Sequence, residues 1–268
     1  MQEKLPVYNI LDTIIFKIPF ETRPQNTFKK GSKMNNSAKL YGIGVGPGDP
    51  DLMTLKAIKT IENSEAVVLP SSTREKCYAY KIVSQVIPAL EEKSLLFCDF
   101  PMTKDRSKLE RAHDAIAAQI EERLQHGKSV AFLTIGDPAI YSTYTYIDER
   151  IRQRGYDTEM VSGVPSFCAV AAALGISLGD KNEEIHIIPA SYAVEESLKL
   201  SGTKIYMKSG QKLKELKQAL LKPDFVQTNQ MVYCVSDCGL STEKRMYGVE
   251  NLDTDAGYLT IVIVKHSK

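Results

Sequence analysis

LYGIGVGPGDP at Leu40–Pro50 and VAFLTIGDPAIYSTYTY at Val130–Tyr146 are the two stretches that decide the fold. Each is an apolar, strand-like run that stops at glycine, after which an Asp-Pro pair opens a helical pattern. Aspartate favours the N-cap because its side chain accepts a backbone N–H, and proline fits the first helical turn. The pattern therefore predicts two ligand-binding loops at the carboxyl ends of parallel strands.

Strand and helix patterns alternate from Lys39 onward, and Pro50–Asn63 is the first predicted helix. The part of the chain before Gly179 predicts five strands separated by helices, which indicates right-handed βαβ units and a parallel sheet. Gly179–Glu184 is polar and lacks periodicity, so a domain boundary is predicted there. Strands outnumber helices beyond it, which indicates a mixed sheet. The predicted fold class is α/β, with domains at 39–180 and 181–268.

The remaining amino-terminal residues, 1–38, are predicted to be a poorly structured extension. The apolar run Ile10–Phe20 is interrupted by charges, polar Glu21–Lys33 follows, and no small-residue cleavage site is present. Chain termini of this composition are commonly disordered.

Composition limits the classes of function. The formal net charge is +1 for 268 residues, which argues against a broad nucleic-acid footprint. No apolar run reaches the roughly 18 residues of a membrane span. The five cysteines form no Cys-x-x-Cys pair, which favours a reducing cytoplasm, and the four scattered histidines predict no metal site.

The glycine loop at Gly42–Pro50 lacks the features of a nucleotide site. A dinucleotide fingerprint needs glycine or alanine three residues after its second glycine, but Pro47 or Asp49 stands there. A P-loop would need Gly-Lys-Ser/Thr. An aspartate without a cation favours a neutral or cationic ligand over phosphate. Asp49 is either a plain N-cap or a residue that faces the cleft.

Several segments resemble the tetrapyrrole methylases, the class III S-adenosylmethionine-dependent methyltransferases. In chain order, the segments that carry the resemblance are Gly42–Ala57, Gly136–Thr143, Gly163–Phe167, Tyr206–Lys208 and Tyr258–Val264. The match extends from Lys39 to the end of the chain. Tyr141–Tyr146 is most similar to the branch that methylates carbon 20 of precorrin-2, or of its cobalt-containing counterpart cobalt-factor II, in cobalamin biosynthesis.

The resemblance implies S-adenosylmethionine as cofactor, with S-adenosylhomocysteine as product, in the cleft between the two domains. It also implies a homodimer. A sulfonium compound requires shape, main-chain hydrogen bonds and acceptors, not a phosphate cradle. The cofactor-binding residues that the resemblance implies are Pro47, Ile135, Gly136, Asp137, Ile140, Ser142, Thr143, Pro165, Ser166, Met207 and Gly239.

Methyl transfer is an in-line displacement, so the alignment of the reactants should dominate the rate. A base must later remove the proton from the methylated carbon. Asp49, Tyr141, Tyr144 and Asp137 are candidates because they lie in the two loops. A structural role in a cap or turn is the alternative for each.

The implied substrate is a tetrapyrrole with many carboxylates. Arg74, Lys104, Arg106 and Lys208 follow strand ends or flank the expected cleft loops, and arginine can bind a carboxylate through two hydrogen bonds. A solvated surface cation is the alternative for each of them.

Two other functions stay open at this point. One is another methylation within the same family, at a different corrin-ring position, of uroporphyrinogen-III or of a macromolecule, although the tyrosine-rich second loop favours carbon 20. The other is a non-catalytic carrier of tetrapyrroles, which would not bind S-adenosylmethionine.

Overall fold

The first five strands form one parallel sheet, as the alternating pattern predicts. The computed structural model describes residues 38–189, 193–209, 212–226 and 230–266. The strands of this sheet are β1 (Leu40–Gly44), β2 (Ala66–Leu69), β3 (Ser94–Phe97), β4 (Val130–Thr134) and β5 (Thr158–Val161). Their order is β3-β2-β4-β1-β5, and each neighbouring pair is parallel. All connections between strands therefore cross over the sheet.

Helices cover both faces of this sheet, which explains why its central strands are apolar without alternation. These helices are α1 (Leu55–Glu62), α2 (Tyr78–Val83), α3 (Arg106–Gln125) and α4 (Tyr144–Gln153). Val67 and Leu69 pack with α1 and α2, whereas Val68 packs with α3 and α4. Successive side chains of β2 thus lie on opposite faces of the sheet and pack against different pairs of helices.

The last five strands form a second, mixed sheet, as predicted. They are β6 (Ile185–Pro189), β7 (Thr203–Met207), β8 (Gln230–Ser236), β9 (Lys244–Tyr247) and β10 (Thr260–His266). The order is β6-β7-β10-β8-β9, and the β6–β7 pair is the parallel one. Helix α5 (Ser166–Leu174) precedes these strands. The helices between them are α6 (Val194–Leu198), α7 (Leu213–Leu220) and α8 (Pro223–Val226).

Helix α5 packs on the second sheet although it precedes the predicted boundary at Gly179–Glu184. Phe167 and Val170 share one buried cluster with Ile205 and Ile261 of that sheet. The boundary separates the strands of the two sheets but leaves α5, which packs on the second sheet, on the first-sheet side; both sheets belong to one compact unit. The domain limits at 39–180 and 181–268 stay a prediction.

Two predicted helix starts are wrong. Pro50–Leu52 is a separate 3₁₀ turn, capped when Asp49 Oδ1 accepts a hydrogen bond from Asp51 N at 2.9 Å. Helix α1 begins only after Thr54, whose hydroxyl accepts from Ala57 N at 3.1 Å and caps the helix. The second Asp-Pro pair opens no helix either, because α4 begins at Tyr144.

The predicted extension at 1–38 lies outside the described residues except for Ala38, which is buried in the core of the first sheet. Among the described residues, no helix is both long enough and apolar enough to span a bilayer. The five cysteines are all free thiols.

Candidate active site

The two glycine loops lie side by side at the carboxyl end of the first sheet. Strands β1 and β4 are parallel neighbours, so both chains leave the sheet at the same edge. Val45 N donates to Thr134 O, and Gly136 N donates to Gly46 O, each at 2.9 Å. The ladder between β1 and β4 thus continues into the loops and fixes their separation. This placement is the one that the sequence predicts.

The side chain of Asp49 is hydrogen-bonded within its own loop, and its main chain contacts the loop after β8 of the second sheet. Its carboxylate accepts from Asp51 N, as described above. A Cβ atom built on Gly239 would lie only 2.4 Å from Asp49 N, and one built on Gly48 only 2.3 Å from Cys238 O. Two main chains therefore meet here with room for no side chain. The loop after β1 and the loop after β8 are in direct contact.

Asp137 links two loops of the first sheet. Its Oδ1 accepts from Ala139 N at 2.8 Å, and its Oδ2 accepts from Gly163 N at 3.0 Å. Both carboxylate oxygens are therefore engaged by main-chain donors. The loop after β4 is held against the loop after β5 by this side chain. These two bonds give the Asp137 side chain a structural role in joining the loops.

A cavity of about 510 Å³ lies where these loops meet the second sheet. Its volume falls in the range of small-molecule sites, about 300–1,000 Å³. Asp137 and Lys208 are the charged side chains of its wall. Ten of the residues predicted to bind the cofactor line it: Pro47, Ile135, Gly136, Asp137, Ile140, Ser142, Thr143, Pro165, Ser166 and Met207. Gly239 does not line the cavity, but its neighbour Cys238 does.

The three other candidate bases, besides Asp137, lie in different places. Tyr141 lines the cavity, and its hydroxyl donates to Ile187 O at 3.0 Å. Asp49 lies outside the wall. Tyr144 is fully buried in the core, with its ring against Gly42 and its hydroxyl bonded to Asp148 at 3.1 Å. Burial raises the pKa of Tyr144, and the negative charge of Asp148 raises it further. Tyr144 is therefore placed where it cannot contact a ligand in this cavity.

The predicted substrate-binding cations are also divided. Lys208 lines the cavity, and its ammonium donates to Tyr141 O at 2.7 Å. Arg74 lies outside the wall and forms an ion pair with Glu91 at 2.8 Å. Lys104 and Arg106 are exposed on the segment that follows β3 and also lie outside the wall.

Residues that were not among the predicted site residues complete the cavity. Phe100 and Met102, on the segment after β3, line it, and Met102 is 87% exposed. Tyr258, just before β10, is 52% exposed, and its hydroxyl has no hydrogen-bond partner among the described residues. Cys238 also lines the cavity, and burial raises the pKa of its thiol to about 11, so it is protonated near neutral pH. No signal in the sequence groups Phe100 with Tyr258, because Phe100 follows a strand of the first sheet and Tyr258 precedes a strand of the second.

Comparison with known proteins accounts for this arrangement. The profile of the tetrapyrrole (corrin/porphyrin) methylases matches residues 39–252. The chain belongs to this family. The resemblance read from the glycine loops, and the two-sheet α/β fold that it implies, are thereby confirmed.

Relatives in this family cover most of the chain. It is 32% identical to a probable cobalt-precorrin-2 C(20)-methyltransferase of Methanocaldococcus jannaschii over 234 residues, which are 86% of this chain and 97% of that relative. It is 26% identical to a precorrin-2 C(20)-methyltransferase of Sinorhizobium sp. over 239 residues, with 84% of this chain and 94% of the relative covered.

Solved structures of tetrapyrrole methylases share the fold. A cobalt precorrin-4 methyltransferase superposes with a TM-score of 0.67 at 21% identity, covering 85% of this chain and 94% of its own. Uroporphyrin-III C-methyltransferase from Thermus thermophilus, complexed with S-adenosylhomocysteine, gives a TM-score of 0.63 at 18% identity, covering 85% of this chain and 97% of its own. At these identities the similarity is one of fold.

Proposed function

We propose that this chain transfers a methyl group from S-adenosylmethionine to carbon 20 of precorrin-2, or of cobalt-precorrin-2, during cobalamin biosynthesis. The observation that carries the proposal is the cavity between the two sheets, walled by both glycine loops. Relatives matched along more than nine-tenths of their own length bear the names of C(20)-methyltransferases, which supports this ring position over others.

The wall of the cavity fits S-adenosylmethionine. Apolar side chains such as Ile135, Ile140 and Met207 suit an adenine ring and a methylene chain, and the hydroxyls of Ser142 and Ser166 offer hydrogen bonds. Among the described residues of the wall, Lys208 is the one cation, so they form no phosphate cradle. When bound, S-adenosylmethionine supplies an electrophilic methyl group.

The part of the protein in such a reaction is alignment. Hydrogen bonds between the loops after β1, β4 and β5, described above, fix the cofactor side of the cavity before any ligand binds. Alignment in a rigid site can replace much of the entropy cost of bringing two reactants together. We infer that the rigid first-sheet loops orient the cofactor, while the remaining wall receives the tetrapyrrole.

The tetrapyrrole side of the cavity would be formed by Phe100, Met102 and Tyr258. Met102 and Tyr258 are exposed and Phe100 is partly buried, and their apolar surfaces suit the face of a flat macrocycle. The hydroxyl of Tyr258, without a hydrogen-bond partner among the described residues, can bond a polar group at the edge of the ring. Lys104 and Arg106 lie two and four residues beyond Met102 and are exposed. We propose that they bind the peripheral carboxylates.

The test is a methylation assay with the purified chain, methyl-labelled S-adenosylmethionine and either precorrin-2 or cobalt-precorrin-2. Nuclear magnetic resonance of the product should locate the label at carbon 20. Label at another carbon, or turnover of uroporphyrinogen-III instead, would transfer the assignment to another branch of the family. Tetrapyrrole binding without affinity for S-adenosylmethionine would indicate a carrier.

Two further properties stay predictions. The resemblance implies a homodimer, which sedimentation equilibrium of the purified chain tests. The cysteine pattern favours a cytoplasmic location, which fractionation of cells tests.

A further inference from the structure

Two residues of the cavity wall adopt a backbone conformation that their side chains disfavour. Tyr141 has φ 48° and Lys208 has φ 57°, both in the left-handed region. Only a few per cent of non-glycine residues lie there, and the conformation persists where surrounding contacts enforce it. Tyr141 belongs to the loop after β4 of the first sheet, and Lys208 directly follows β7 of the second sheet. The contacts that enforce these conformations should therefore lie between the sheets.

Two hydrogen bonds join the second sheet to Tyr141. The tyrosine hydroxyl donates to Ile187 O of β6 at 3.0 Å. The ammonium of Lys208 donates to the main-chain carbonyl of Tyr141 at 2.7 Å. The same ammonium lies 5.6 Å from the centre of the Tyr258 ring, on which it packs as a cation. Tyr141 is thus held at its side-chain end and at its main chain by two different strands.

The residues that follow Tyr141 are attached to the first sheet instead. The hydroxyls of Ser142 and Thr134 are 3.0 Å apart, and Ser142 Oγ accepts from Tyr144 N at 3.1 Å. Ser142 and Thr143 both line the cavity. The loop Ile140–Thr143 is therefore bound to both sheets. Tyr141 is hydrogen-bonded to the second sheet, and Ser142 is hydrogen-bonded to the first.

We propose that Tyr141 is a positioning residue, which together with Lys208 forms an intersheet latch that sets the shape of the cofactor loop Ile140–Thr143. The inference rests on the proposed function, because it takes S-adenosylmethionine as the ligand of that loop. The latch assigns Lys208 a role different from carboxylate binding, since its ammonium is committed to Tyr141 O. It also assigns the Tyr141 hydroxyl to a carbonyl of β6 and not to the reacting carbon.

Calorimetry with S-adenosylhomocysteine and no tetrapyrrole measures the latch directly. Tyr141→Phe removes the hydroxyl donor, and Lys208→Met removes the ammonium donor. Each should weaken binding by roughly 3- to 10-fold, as expected for one partly exposed hydrogen bond. Lys208→Arg keeps a cationic donor beside Tyr141 O and the Tyr258 ring, and should therefore bind more tightly than Lys208→Met. In steady-state assays, the KM for S-adenosylmethionine should rise by a larger factor than kcat falls.

Tyr146→Phe is the matched control. It makes the same chemical change on an exposed tyrosine of α4, outside the cavity wall, and keeps the ring that stacks on His113. Its affinity for S-adenosylhomocysteine should equal that of the unmodified chain.

The outcomes separate the latch from the proposed function. No binding of S-adenosylhomocysteine by the unmodified chain would remove the proposed function itself. Binding by the unmodified chain with equal affinities in Tyr141→Phe and Lys208→Met would overturn the latch alone. A loss in Lys208→Arg as large as in Lys208→Met would also overturn it, because the donor to Tyr141 O would then not be the cause.

Discussion

Replacing Gly48 with alanine tests whether the contact between the loops after β1 and β8 sets the geometry of the cavity. The new Cβ atom would lie 2.3 Å from Cys238 O and 3.2 Å from the carbonyl carbon of Gly239. Both are main-chain atoms, so no side chain can rotate away. Favourable contacts between such atoms begin near 3.5 Å, so the two main chains must separate by roughly 1 Å.

This separation should lower both the stability of the chain and the rate of methyl transfer. Overpacking of this kind typically costs about 1–3 kcal/mol in the free energy of unfolding. For a chain of this size, that loss corresponds to a fall in Tm of roughly 2–12 °C. Pro47 and Cys238, next to the two sides of the contact, line the cavity. A displacement of about 1 Å in a reacting geometry can reduce the rate on the order of 100-fold.

Thermal unfolding and the methylation assay measure the two effects. Gly257→Ala is the matched control, because a Cβ atom there meets nothing within 4 Å and its φ is not left-handed. The control should unfold at the temperature of the unmodified chain or slightly above it, since alanine restricts the unfolded state. If Gly48→Ala keeps both the Tm and the rate of the control, the loops yield without cost and the reasoning fails.

Three further outcomes follow from individual contacts. Tyr144→Phe should lower the free energy of unfolding by about 1 kcal/mol in urea titrations, because it loses the hydrogen bond to Asp148. Its pH–rate profile should stay unchanged, and a large fall in kcat at unchanged stability would restore a catalytic role. Lys104→Ala should raise the KM for the tetrapyrrole several-fold and leave the affinity for S-adenosylhomocysteine unaltered. Lys108 is also exposed and serves as the control. An equal rise of this KM in Lys108→Ala would contradict the proposed carboxylate contact. The hydrogen bond from Lys265, at 2.7 Å, is the largest cause that lowers the pKa of Glu183 below 4.5. The stability that this ionised carboxylate contributes is present above about pH 4.5 and is lost as the pH falls through its lowered pKa. Lys265→Met should therefore lose less stability than the unmodified chain between pH 7 and pH 3 in urea titrations, and parallel losses would refute this assignment.

Much of the fold follows from residues whose effect is local. Glycine, proline and aspartate act within a few positions of themselves, so strand ends and loops could be predicted from them. Strands β1 and β4 begin at Leu40 and Val130, where the two quoted apolar runs begin, and Gly175 ends α5 in the left-handed conformation. The cofactor side of the cavity was predictable for the same reason. Its residues belong to loops defined by such short motifs.

The errors concern features that depend on distant parts of the chain. Tyr144 and Tyr141 are three residues apart, and the sequence offers both as candidate bases. The structure buries Tyr144 because the first turn of α4 faces β1, where Gly42 leaves space for its ring. Phe100 and Tyr258 could not be grouped from the sequence, because their contact with one cavity requires both sheets. Lys208 was predictable as a cleft residue, but its partner Tyr141 O lies 67 positions away.

The two Gly-Asp-Pro motifs illustrate why similar sequences have different roles. Asp49 caps a turn two residues ahead, whereas Asp137 reaches Gly163, 26 positions along the chain. Strand β5 adjoins β1 and not β4, so this bond must cross the end of β1. A Cβ atom on Gly44 would lie 2.4 Å from Gly136 O and 2.6 Å from Gly163 N. Three main chains thus converge where only glycine fits at position 44. Gly44 and Gly48 are explained by these close approaches of main chain, to Gly136 and Gly163 for the first and to Cys238 for the second, and a phosphate-binding role is not needed to account for them.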